Sequence, residues 1–255
     1  MPRELIHWWR ITAVLEALGW GLAGGSTLVV GALIGCFVRL PRWLTATIMA
    51  AGAGVLIASV AYELVDEAAR SGGLTYTAIG MTCGGLAFFL GDLAVTRSGG
   101  SGRKRSSGVV RDGASGTVLA LGALLDGIPE SAAMGVTLLN GSPPGLAFVV
   151  AVALSNLPEG ISSSVAMRRH GKRPGYILTV WTTIMAVSGV AAAVGYGALG
   201  AASPGTTAFV MAFAAGAVLT MLASTMLPEA AEEGGPVIGL VATTGFLAAV
   251  LLERL

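Results

Sequence analysis

Eight apolar stretches occupy most of this 255-residue chain, at 11–38, 43–69, 74–95, 117–139, 145–168, 175–200, 205–230 and 236–254. Each approaches or exceeds the length needed to cross the hydrocarbon core of a bilayer, about 20 residues as helix. Inside lipid no water satisfies backbone N–H and C=O groups, so a stretch of this length must make its hydrogen bonds within itself, as a helix. Hydrophobic residues make up 54% of the chain and charged residues 11%, against about 25% charged in soluble domains. The 38 glycines suit helices that approach one another closely without a hydrophobic drive between them. The expected fold is all-α and polytopic: one transmembrane domain over 1–255, in the cell (inner or plasma) membrane. The first stretch contains Glu16 and runs on past Gly31 without a cleavage site, so it reads as a span and not as a cleaved signal. Cys36 and Cys83 lie in separate apolar stretches and read as small buried hydrophobes.

The one long polar gap, TRSGGSGRKRSSGVVRDGASG at 96–116, has nothing to bury and reads as a flexible basic loop. Charge sets the orientation. If the loop after the first stretch is cytoplasmic, the inside loops hold Arg39, Arg42, Arg97, Arg103, Lys104, Arg105, Arg111, Arg168, Arg169, Lys172 and Arg173. That leaves only Arg3, Arg10, Arg70 and Arg254 of the 15 basic residues outside. The positive-inside rule then puts both termini outside.

Two short units stand out within the apolar stretches: LLDGIPES at 124–131 and LSNLPEG at 154–160. Aligned on Pro-Glu they are 29 residues apart, and they stack Asp126 on Ser155, Gly127 on Asn156, Pro129 on Pro158 and Glu130 on Glu159. At about 1.5 Å per residue, Asp126 lies roughly 14 Å into its stretch, and Ser155 lies at a similar depth from the opposite side. Both units thus reach the bilayer middle, where carboxylates are costly and mark function. Asp126 and Glu130 are four residues apart and share a helix face, as do Ser155 and Glu159. Pro129 and Pro158 break the helical bonding and leave the Leu125 and Leu154 carbonyls without their usual donors. A divalent cation would neutralise the carboxylates, and hard oxygen donors suit such ions. The metal-site residues expected are Asp126, Glu130, Glu159, Asn156 and Ser155. Glu63 and Glu67, four apart in the second stretch with Ser59 on the same face, are candidates for an entrance.

A second repetition aligns 54–68 (GVLIASVAYELVDEA) with 216–230 (GAVLTMLASTMLPEA) at an offset of 162. Gly54 meets Gly216, Ala61 meets Ala223, and Glu67-Ala68 meets Glu229-Ala230. The second and seventh stretches run in opposite directions, so the repeat is inverted. Inverted repeats around midplane sites with interrupted helices are the mark of secondary transporters.

These residues resemble the ZIP (Zrt/Irt-like) family of divalent metal transporters. The family has eight transmembrane helices, both termini outside, a variable loop between the third and fourth, and metal-binding motifs of the form H-N-x-P-E-G and H-x-x-P-E-G. Pro129-Glu130, Pro158-Glu159 and Gly160 match those motifs, and the Gly-rich second stretch ending at Glu67-Ala68 is similar to the family's second helix. The resemblance covers essentially the whole chain. It implies an inverted 3+2+3 arrangement in which the fourth and fifth helices carry the central site. Asp126 and Ser155 stand where the family has histidines, Gly127 replaces the Asn and Ser131 replaces the Gly after Glu130. The sixth stretch carries no interior acid, and the long loop has no histidine. Zinc favours nitrogen and sulfur, whereas an all-oxygen set suits Mn²⁺, Fe²⁺ or Mg²⁺ better.

The function implied is a permease moving a divalent cation of the Zn, Mn or Fe class toward the cytoplasm. The cation is cargo and not a resident cofactor. A non-transporting membrane scaffold or metal sensor on the same frame is the alternative. An enzyme is not expected: no H-E-x-x-H occurs, and the polar segments are too short for a catalytic domain. The partners expected are the metal ion and the lipid bilayer, without nucleic acid, and a homodimer is one admissible assembly.

Overall fold

The computed structural model describes residues 3–97, 116–138, 144–199 and 202–252. Residues 98–115, the bulk of the basic loop expected at 96–116, lie outside the described residues. Helix α1 spans Arg3–Phe37 and α2 spans Arg42–Ser59. The second rod continues through a π-helical segment, Val60–Asp66, into α3, Glu67–Gly72. Then come α4 (Leu74–Arg97), α5 (Gly116–Thr137), α6 (Leu146–Arg169) and α7 (Pro174–Leu199). Helix α8 (Pro204–Met221) passes through a second π segment, Leu222–Met226, into α9 (Leu227–Gly234). A short 3₁₀ turn, Gly235–Val237, leads to α10, Ile238–Leu252. No strand occurs among the described residues.

Helix starts and stops follow local chemistry. Ser203 caps α8, its hydroxyl accepting the Thr206 N–H at 3.2 Å, and Pro204 occupies the first helical position, where its missing N–H costs nothing. Gly73 separates α3 from α4 in a single residue at φ 84°, a backbone state glycine adopts without steric penalty.

Six stretches of the described chain are long and apolar enough to cross a membrane: Thr12–Phe37, Arg42–Gly72, Leu74–Arg97, Leu146–Arg169, Pro174–Gly197 and Pro204–Leu252. This is a helical membrane protein. Large apolar side chains turned outward, among them Leu74, Leu86 and Phe89 on α4 and Leu240, Leu247 and Leu251 on α10, suit lipid and not water.

The helices sort by packing. α1 lies along α6 and α7, and α7 also lies along α5; α4 lies along α8, and α10 along α2. Contacts of α2 with α6, and of α8 with α5, join the two groups. Glycines bring backbones together at these seams. Gly54 of α2 faces the Ala242 carbonyl of α10, and Gly216 of α8 faces the Met81 carbonyl of α4. Gly245 faces Ala51, and Gly84 faces Phe213. At Gly54 an added Cβ would lie 2.8 Å from the backbone nitrogen of Phe246, too close to fit without movement.

Candidate functional site

α5 and α6 each carry a proline inside the helix, Pro129 and Pro158, and each helix runs through it. The glutamate after the first, Glu130, is 2% exposed. The Ser155 hydroxyl on α6 lies 3.2 and 3.3 Å from its two carboxyl oxygens. The same hydroxyl is 3.0 Å from the Val152 carbonyl. A serine has one proton to give, so these three acceptors compete for it. Two residues that sequence alignment places at the centre of different stretches thus meet in a buried contact. A carboxylate in so apolar a setting is stable only with polar company, and Ser155 supplies part of it.

The other expected residues fall in several places. The side chain of Asp126 lies outside the described residues. Asn156 turns its amide nitrogen to α1, donating to the Gly24 carbonyl at 3.1 Å, and so ties α1 to α6. Glu159 is half-buried on α6, one turn past Ser155; its main-chain carbonyl accepts from the Ser162 hydroxyl at 3.4 Å. Among the described residues no three or more His, Cys, Asp or Glu side chains are grouped as a metal would need. Across α5 and α6 the structure brings Glu130 and Ser155 together. The Leu154 carbonyl, which Pro158 cannot bond, packs against Gly52 of α2, where an added Cβ would stand 3.0 Å from the oxygen.

Glu63 lies in the first π segment, and its carboxylate accepts the Gly145 N–H at 3.2 Å. Gly145 is the N-cap of α6, so a negative charge meets the positive end of the helix that carries Ser155 and Glu159. The expectation that Ser59, Glu63 and Glu67 share a face assumed α-helical winding. A π turn bonds i to i+5, so a four-residue step falls short of a full turn there. Glu67 opens α3 beside the Asp66–Arg70 ion pair of 2.6 Å, whose side chains are 43% and 74% exposed respectively.

Sequence reasoning missed Ser188 on α7, which is 2% exposed. Its hydroxyl oxygen lies 3.7 Å from where a Cβ on Gly127 would be, so it backs α5 about one turn before Glu130. A lone serine in an apolar helix gives no local signal of this. Ser59 and Ser164 are fully buried, and their hydroxyls have no hydrogen-bond partner among the described residues. No protein-family model matches the chain, and no curated protein matches it.

Proposed function

We propose that this chain is a ZIP-like permease that carries a divalent metal cation toward the cytoplasm through a midplane site built on Glu130 and Glu159, with Asp126, Ser155 and Asn156 as further oxygen ligands. The observation that carries this reading is the buried contact between Glu130 and Ser155, which joins the two Pro-Glu helices at one point. Counting α5 as a span, and dividing Pro204–Leu252 at the 3₁₀ turn, gives eight spans and so puts both termini on one side, which the positive-inside count makes the outside of the cell membrane.

An inverted 3+2+3 repeat underlies the transport cycle in this reading. The two π segments support it, since they begin at Val60 and Leu222, the same 162-residue offset as the sequence repetition. The glycine seams also fall in pairs: Gly54 on Ala242 with Gly216 on Met81, and Gly245 on Ala51 with Gly84 on Phe213. Alternating access then consists of one helix group, α1 with α5, α6 and α7, rocking against the other.

Uptake of divalent cation into proteoliposomes tests the proposal. Glu130→Gln and Glu159→Gln abolish uptake while the helical content and melting of the protein are kept; undiminished uptake in both sinks it. Carboxylate ligands bind metal only when deprotonated, so affinity falls on acidification.

The missing motif histidines favour a second reading, a membrane scaffold or metal sensor that does not transport. A scaffold takes up no divalent ion at equilibrium, a sensor binds it without flux, and a permease does both.

A further inference from the structure

Basic residues gather at one end of the packed helices α1, α2, α6 and α7, and the helix register shows how closely. α1 and α6 run parallel, since Gly31 faces Leu157 and Gly35 faces Ile161 and Ser164. Four residues past Gly35, Arg39 therefore stands level with the last turn of α6, which ends at Arg169. α2 and α6 run antiparallel, since Glu63 meets Gly145 and Gly52 meets Leu154. Counting ten residues back from Gly52 reaches Arg42, and ten on from Leu154 reaches Ser164, each about 15 Å along its helix. Arg42 is thus about one turn short of Arg168 in height. The turn from α6 into α7 adds Lys172 and Arg173. Positive-inside sorting asks only that such charges share a side of the membrane; here packing brings six of them into one layer, all exposed.

The α6–α7 turn is well bonded. The N–H groups of His170, Gly171 and Lys172 bond back to the carbonyls of Ala166, Arg168 and Met167 at 3.2, 3.0 and 3.1 Å, with Gly171 at φ 77°. The Arg168 guanidinium donates to the Lys172 carbonyl at 3.3 Å, and the Lys172 ammonium lies 5.3 Å from the centre of the Tyr176 ring. The nearest acidic element is α9, whose Gly234 packs against Ala46, one turn past Arg42. Even so, none of the six cations takes part in an ion pair among the described residues. Three exposed aromatic rings, Phe37 (69%), Trp43 (61%) and Tyr176 (43%), border the same layer, and such rings settle at headgroup level. An acidic soluble protein would match the charge but would leave these rings in water. We propose that this layer is a docking site for the phosphate headgroup of an anionic lipid, in the leaflet that the positive-inside count makes cytoplasmic. Arg39 and Arg42 close it on the α1–α2 side, and Arg168 and Lys172 on the α6–α7 side; guanidinium groups bind phosphate oxygens with paired N–H donors. The site is independent of whether the chain transports a cation.

Native mass spectrometry of the purified full chain, titrated with phosphatidylglycerol or with phosphatidylcholine of the same acyl chains, counts the lipids retained. The wild-type chain holds phosphatidylglycerol at least about tenfold more tightly, and raised ionic strength weakens that preference. Arg39→Gln with Arg42→Gln, and Arg168→Gln with Lys172→Gln, each lower phosphatidylglycerol affinity by about tenfold or more, at about fivefold per cation. Phosphatidylcholine binding and helical content stay the same. Arg70→Gln with Arg97→Gln removes the same charge from other parts of the chain and leaves the preference within about twofold. Arg39→Lys with Arg42→Lys keeps the charge and most of the preference, so this pair and the salt series read the site even where a neutralised variant fails to fold. Equal retention of the two lipids overturns the proposal, as does an Arg70/Arg97 pair that costs as much as the pairs in the layer. Inorganic phosphate that displaces phosphatidylglycerol at equal concentration also overturns it, because the layer then takes a soluble anion and not a lipid.

Discussion

Gly52→Ala tests how tightly the site's backbone is held. Gly52 faces α6 at Leu154, the residue before Ser155. An alanine Cβ there would stand 2.8 Å from the Leu154 Cβ, 2.9 Å from its carbonyl carbon and 3.0 Å from the oxygen. Carbon atoms prefer about 3.5–4.0 Å, so α2 and α6 must part by roughly 0.7–1 Å. Overpacking of this kind costs about 1–3 kcal/mol. Alanine is the better helix former by about 0.5–1 kcal/mol, which leaves a net destabilisation of about 0–2.5 kcal/mol. Gly19→Ala isolates the clash, because Gly19 lies in α1 with nothing within 4 Å of its added Cβ. The two variants gain the same propensity, so they differ by about 1–3 kcal/mol. The same displacement moves the backbone next to Ser155, so its 3.2 Å contact with Glu130 is disturbed as well. The assay is reversible SDS unfolding in mixed micelles, followed by circular dichroism, with divalent-ion binding measured on each folded variant. Equal stability of the two variants, within about 0.5 kcal/mol, refutes the packing argument.

Gly145→Ala pushes a methyl to 2.8 Å from the Glu63 carboxyl carbon, so the Glu63–Gly145 hydrogen bond is lost at about 1.5–3 kcal/mol, as for bonds to charged groups. Combined with Glu63→Gln the losses are less than additive, and additive losses in the same unfolding assay argue that the two residues do not interact. Asn156→Ala removes the tie to Gly24 and lowers stability by about 0.6 kcal/mol, the usual worth of an interhelical hydrogen bond in a bilayer; a neutral result places the amide elsewhere. Arg70→Ala changes stability by less than about 0.5 kcal/mol, because its pair with Asp66 is exposed and screened, and a larger loss shows that Arg70 has a buried role.

The helix limits were legible because the chain punctuates itself with residues that cannot continue a helix or can bend away from it. Pro41 stands before α2, Gly73 ends α3, and Pro174 and Pro204 open α7 and α8. Predicted limits lie within a few residues of these, except that α1 starts earlier, at Arg3, and α9 runs on to Gly234, past the expected limit at 230. The Glu130–Ser155 pairing was foreshadowed by the Pro-Glu alignment and equal depth. The ties of Asn156 and Glu63 were not, because their partners are main-chain groups of Gly24 and Gly145, which leave no trace in side-chain patterns. The π segments were nearly as silent. VAYELVD and LASTM themselves carry no proline or glycine, and only Pro228, which cannot donate to the Ser224 carbonyl, marks the second of them locally.

The glycine seams divide the chain into two populations with opposite freedom to change. At Gly54, Gly84, Gly216 and Gly245 a carbonyl of the neighbouring helix occupies the place of a side chain, so even one methyl is excluded. Along the outer faces of α4 and α10, by contrast, any apolar residue dissolves in lipid as well as the next. Lineages that keep this architecture will therefore drift fastest on the outside, while an unchanging skeleton of glycines records their common descent.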